Sequence, residues 1–163
     1  MEGAADVLLG ATRVLSGMAL DGLAVSAAPL SLAQFRMLRL IEESGPISVH
    51  QAAAVLQLSE SATAGLAGRL VVAGLIHWQP SPQRRRPVVA VTPRGRDTVV
   101  QVRSWRSREL TRILQRLSPA QRGAVADAMR GFIDAAAGAG YPGRPPASGP
   151  GNRPDDLTPP PRT

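Results

Sequence analysis

Between Leu75 and Val91 the chain stops repeating like a helix. Leu75-Ile76-His77-Trp78-Gln79 is short and strand-like, and Val88-Val89-Ala90-Val91 is a second, mostly β-branched run. Between them lies a turn rich in proline and arginine, Pro80-Ser81-Pro82-Gln83-Arg84-Arg85-Arg86-Pro87. Two such runs joined by a turn of this length read as a β-hairpin. On both sides of it apolar residues recur at helical spacing, so the chain is mainly α with one small β-hairpin set inside it.

The helix starts are marked by local chemistry. Val7, Leu8, Ala11, Val14, Leu15 and Met18 give a first helix over about 4–23. After a loop through Ala28-Pro29, Ser31-Leu32-Ala33-Gln34 reads as a capping box, with the serine capping the amides and the glutamine reaching back. It opens a helix that buries Phe35, Leu38 and Ile41 and ends near Glu43-Ser44-Gly45. Ser48-Val49-His50-Gln51 repeats the device before a short helix ending near Leu56, and Ser59 caps another from Glu60 to about Ala73, closed by Gly74. Beyond the hairpin, Thr92-Pro93 supplies a cap and an N1 proline for a long helix to about Arg116. Ser118-Pro119-Ala120-Gln121 opens the last helix, with Val125, Met129, Phe132 and Ile133 on its apolar side. From Gly138 onward proline, glycine and isolated charges leave almost nothing to bury. The expected organisation is a folded domain over 1–138 and a disordered tail over 139–163.

Charge is distributed unevenly. All 19 basic residues are arginine, and the formal net charge is +7. Residues 1–68 hold three arginines against six acids, whereas 69–130 hold thirteen against three and the remainder balances. A GC-rich genome accounts for arginine over lysine but not for the excess in one segment. A polyanion suits that segment, because guanidinium pairs with phosphate through planar, bidentate hydrogen bonds. Aromatic residues make up only 3% of the chain, so alanine, valine and leucine must fill the core, and part of the apolar surface is expected to be covered by a second copy.

Two helices joined by a turn and followed by a hairpin make a winged helix-turn-helix. Its second helix has the length to lie in a DNA major groove, and a basic hairpin beside it reaches backbone or minor groove. The sequence also resembles the MarR-type regulators. The resemblance is carried by Leu58-Ser59, by Arg69-Leu70-x-x-x-Gly74-Leu75-Ile76, by Arg85-Arg86 at the wing, by Thr92-Pro93-Arg94-Gly95 and by the capped Leu117-Ser118-Pro119-Ala120-Gln121. It covers roughly 30–138. It implies a homodimeric transcriptional regulator whose N- and C-terminal helices interlock between subunits while each winged helix reads half of a palindrome. It also implies a small-molecule effector, bound near the junction of the dimerisation and DNA-binding parts, that releases the DNA.

The expected DNA-binding residues are Ser59, Ser61, Thr63, Ala64, Gly65 and Arg69 on the recognition helix, with Arg84, Arg85 and Arg86 on the wing. Two departures from the family pattern qualify them. The family's wing carries an acid shortly before its arginine; here Gln83 or Arg84 stands there, which adds charge but removes the brace. The recognition helix, with Leu66 and Leu70 inward, presents Ser61, Ala64, Gly65 and Gly68 outward. Those side chains are too small for much direct readout, so shape and phosphate contacts are expected to carry more of the binding.

Plainer readings stand beside these. The three wing arginines also suit a solvated turn, and Arg69 suits either a phosphate contact or an internal brace. Arg103, Arg106, Arg108, Arg112 and Arg116 suit a solvated or intersubunit face better than a DNA surface. Trp78 and Trp105 suit core or interface positions, with a ligand pocket as the alternative. His50 and His77 lack metal-ligand spacing, and no nucleophile stands beside a base. No enzyme, metal or cofactor is expected. Without cysteine, disulfides and thiolate sites are excluded. No apolar run reaches about 18 uninterrupted residues and no basic leader opens the chain, so a cytoplasmic protein with no membrane partner is expected. The expected partners are double-stranded DNA, a second copy and a small effector. The alternative is a winged-helix protein-interaction module with weak or non-specific DNA binding.

Overall fold

The computed structural model describes residues 2–26, 30–81 and 87–139. They form α1 (Glu2–Ala24), α2 (Leu32–Ser44), α3 (Val49–Leu56), α4 (Glu60–Val72), β1 (Ile76–Gln79), β2 (Val88–Val91), α5 (Pro93–Leu114) and α6 (Pro119–Gly138). This is the expected class, mainly α with a two-stranded antiparallel hairpin between α4 and α5. The loop at Ala28-Pro29, the wing tip with Arg84, Arg85 and Arg86, and the tail from 140 onward lie outside the described residues. The chain divides into two compact units, Met1–Arg122 and Gly123–Thr163.

From α2 onward, each helix starts where a side chain takes over its orphaned amides. Ser31 Oγ accepts from Gln34 N–H at 3.2 Å while Gln34 Oε1 accepts from Ser31 N–H at 2.8 Å, a complete capping box for α2. Ser48 with Gln51 and Ser118 with Gln121 repeat it at α3 and α6. Thr92 does more than cap. Its hydroxyl accepts from Gly95 N–H at 3.0 Å and donates toward the carbonyls of Gly74 and Leu75, tying the end of α4 to the start of α5. At Gly95 the helix comes so close to the hairpin that a Cβ would lie 2.1 Å from Leu75 O and 2.8 Å from Val91 Cγ2. The Thr-Pro-Arg-Gly sequence is therefore a packing requirement: the cap sets the direction, and the glycine allows the approach.

The hairpin pairs Ile76 with Val91 and Gln79 with Val88 at its two ends. A third partner was not anticipated. Ile47, between α2 and α3, exchanges both backbone hydrogen bonds with Val89, at 3.1 and 2.9 Å. β2 thus runs between β1 and Ile47, and its residues Val88, Val89 and Ala90 are all buried. That is the reason its sequence is continuously apolar, as in strands covered on both faces, whereas β1 leaves His77 and Trp78 exposed.

The core of the first unit gathers Phe35, Met37, Leu38 and Ile41 from α2, Leu66 and Leu70 from α4, Leu75 and Ile76 at the hairpin, and Val99 and Val102 from α5. Met37 joins the expected face of α2. Packing of α2 on α4, α3 on α4 and α4 on β1 fixes the orientation of α4. α1 packs against α5 and contributes Leu23 to this core. By length and composition, residues Gly3–Ala24 of α1 would also suffice to cross a membrane. The expectation of no membrane-length stretch rested on uninterrupted apolar runs, and α1 reaches the length with Asp6, Arg13 and Asp21 inside it. A charge at the centre of a bilayer costs about 3 kcal/mol on insertion scales. In α6 no residue is buried; Val125, Phe132 and Ile133 are exposed.

Candidate nucleic-acid interface

The surface of α4 follows from which side its large residues take. Leu66, Ala67 and Leu70 face the core with Thr63. Ser61, Ala64, Gly65 and Gly68 are exposed, as expected, and Arg69 is exposed with them. Thr63 is a correction. It is fully buried, and its hydroxyl donates to Ser59 O at 2.9 Å, so it has neither the exposure nor the spare hydrogen to meet a base. The spacing 63, 66, 67, 70 already placed it on the buried stripe; its polarity pointed the wrong way. Ser59 is exposed, but its Oγ is held by the cap, accepting from Ala62 N–H at 3.2 Å and sharing a hydrogen bond with Ser61 Oγ at 3.2 Å.

Arg69 is the long basic side chain of this surface. A Cβ added at Gly65 would lie 3.7 Å from Arg69 Nη1, so the guanidinium folds back one turn along α4 toward its N-terminal half. Glycine at 65 leaves that path open. At the other end of α4, Arg94 brings Nη1 close to Gly74, and Arg96 donates to Val91 O at 3.4 Å. Both arginines are exposed beside the base of the wing; the sequence reading noted Arg94 only within the Thr92-Pro93-Arg94-Gly95 motif and placed neither at the DNA. The ladder ends at Gln79 and Val88, the two residues from which the wing connection departs.

Two further side chains meet where the helix-turn-helix folds. His50, in the first turn of α3, donates from Nδ1 to Glu60 Oε1, in the first turn of α4, at 2.6 Å. Both are more than half exposed. They are ten positions apart, so no local pattern announces the pair.

A model of the MarR family matches residues 28–87 of the sequence. Over 83% of this chain and 93% of the other, the fold superposes on RV1404 from Mycobacterium tuberculosis with a TM-score of 0.78 and 35% sequence identity. The chain belongs to the MarR family. The transcriptional regulator Tm0710 from Thermotoga maritima shares the fold at 19% identity and a TM-score of 0.70, over 85% of this chain and 97% of that one. So does MepR, a transcription regulator of the Staphylococcus aureus multidrug efflux pump MepA, at 15% identity and 0.69, over 79% and 95%. No curated protein matches the sequence. The hairpin and the helices before it are thus those of a MarR-family winged helix, and the chain has the fold of a transcriptional regulator.

In this MarR-family chain the arginines of α5 are not all alike. Arg112 pairs with Glu109 at 2.7 Å on the surface, as expected of a solvated face. Arg106 departs from that reading. Its guanidinium stands 5.1 Å over the Phe35 ring, and Nη2 donates to Ala19 O of α1 at 2.9 Å. Its Nε is buried without a hydrogen-bond partner among the described residues. Burial, then the nearby charge of Arg39, holds its pKa below the ordinary arginine value. Arg106 therefore ties α1, α2 and α5 together. Trp105 lies against α1 at Gly22, where a Cβ would stand 3.1 Å from its ring, while Trp78 remains 44% exposed on β1 and is no core residue of the single chain.

Proposed function

We propose that this MarR-family chain is a DNA-binding repressor that grips a palindromic operator as a homodimer. The observation that carries the reading is the exposed face of α4, with Arg69 laid along it and Arg94 and Arg96 at its far end beside the wing. In this reading Ser59, Ser61, Ala64 and Gly65 approach the major groove closely, and Arg69 meets phosphate or base. Arg84, Arg85 and Arg86 bind backbone or minor groove. The working unit spans 1–138. α1 and α6, with their exposed apolar side chains, join two copies, and a small effector bound near the junction of the two parts releases the DNA. The site of action is the cytoplasm, and no catalysis is involved.

The test is a gel-shift titration against the intergenic DNA upstream of the chain's own gene, at two salt concentrations. Binding is expected to weaken steeply with salt, because each neutralised phosphate releases counterion. Replacing Arg85 and Arg86 by alanine is expected to lower affinity on every duplex, by about tenfold or more at physiological salt. Affinity unchanged by that replacement removes the wing from the interface.

One observation favours a second reading, a winged-helix module that docks a protein. The exposed face of α4 is built largely of small residues, which suit close packing as well as they suit DNA. Weak binding indifferent to sequence in the same titration supports that module, and tight, selective binding sinks it.

A further inference from the structure

Small residues leave α4 short of base-reading side chains, yet its first turn carries one long polar group. Glu60 is exposed, and its carboxylate is held by His50 across the α3–α4 turn at 2.6 Å. Recognition helices of this kind touch base edges with their N-terminal residues. The neighbours there, Ser59 and Ser61, are short, and Ser59 is engaged as the cap. An exposed glutamate on flexible bonds would swing away from a polyanion. One held by a histidine on the preceding helix keeps a defined direction.

We propose that Glu60 is the specificity-determining residue of the operator contact, and that it selects a cytosine in each half-site, with His50 positioning it. This rests on the DNA-binding reading above. A carboxylate only accepts hydrogen bonds, and cytosine presents its N4 amino group in the major groove with no acceptor on the side toward C5. Adenine also presents an amino group, but its N7 lone pair lies beside it and repels the second oxygen. Guanine and thymine offer acceptors there. Glu60 thus penalises every base but cytosine, and phosphate repulsion sharpens the penalty when no donor meets the carboxylate. The small residues along the rest of α4 allow the helix to sit deep enough for that contact.

The experiment is selection of duplexes from a random pool by the full-length chain, followed by affinity measurements on the selected site with each base pair replaced in turn. The wild type is expected to prefer C·G over the other pairs at one position per half-site by roughly tenfold. Glu60→Ala is expected to erase the preference at that position alone, while binding an unselected duplex as well as or better than the wild type, since a negative charge has gone. Glu60→Gln is expected to move the preference toward adenine, whose N6 and N7 match an amide. His50→Ala is expected to narrow the cytosine preference with little change on unselected DNA. If Glu60→Ala keeps the full wild-type base profile, the proposal is overturned. If the wild type selects an operator but shows no C·G preference at any position that Glu60→Ala alters, the role of Glu60 falls and the DNA-binding reading stands. If it binds no duplex at any salt, that reading itself has failed.

Discussion

Two stretches of the first unit are made from the same small aliphatic palette and end in opposite conditions. From α2 to the first half of α5, Met37, Leu38, Ile41, Leu70, Leu75, Ile76, Val89 and Val102 are almost wholly buried, while Leu32, Val55, Leu58, Val72 and Val100 stay exposed around that core. In α1, Val7, Leu9, Val14, Leu15 and Leu20 keep about half or more of their surface in water, Val7 as much as 71%. Leu110 and Ile113, near the end of α5, resemble α1 in this. The winged helix closes its core within one chain. α1 does not, and apolar surface left in water at about 25 cal/mol per Å² is a strong incentive to associate. The same helix is anchored at its C-terminal end, through Leu23 in the core and the Arg106 hydrogen bond to Ala19 O. Its position is thus fixed by this chain, and its exposed side is left for another surface.

The contrast is most easily broken at Gly95. A methyl group there meets Leu75 O and Val91 Cγ2 at distances no relaxation of side chains alone removes. Gly95→Ala is expected to destabilise the winged helix by about 3 kcal/mol, read as a lowered urea midpoint. An unchanged midpoint would mean that α5 does not dock on the hairpin as described. Leu15→Glu attacks the other side of the comparison. It is expected to leave the unfolding transition of the winged helix nearly intact and to weaken self-association by about 2 kcal/mol, some thirtyfold. Sedimentation at several concentrations tests it, and an unaltered profile would take α1 out of the dimer seam. The smallest effect is expected at Thr63. Thr63→Val removes one buried hydrogen bond and is expected to cost about 1 kcal/mol of stability, with no loss of DNA affinity. A large loss of affinity without loss of stability would return Thr63 to the interface.

Much of the fold was legible before any coordinates because its signals are local. Ser31 with Gln34, Ser48 with Gln51 and Ser118 with Gln121 settle three helix starts by hydrogen bonds that span three residues. The strands announced themselves by a change of period. The candidate site was legible only in part. Its helix and its small-residue face were foreseen, while Thr63 was misassigned because its polarity outweighed its place on the 63, 66, 67, 70 stripe. Arg106 was grouped with its surface neighbours, since helical spacing cannot tell a solvated arginine from one turned onto a ring of another helix.

Sequence alone determined where each helix begins, that a hairpin interrupts them, and that positive charge collects from residue 69 onward. These depend on residues within a few positions of one another, or on simple counting. Tertiary structure decided that Ile47 completes the pairing of β2, that Gly95 lies against Leu75, that His50 holds Glu60, and that Arg106 joins α1 to α2 and α5. Each of these joins residues that only the packing of separate elements brings within reach. Periodicity says which face of a helix is turned inward, and the neighbour it meets there is chosen by the fold.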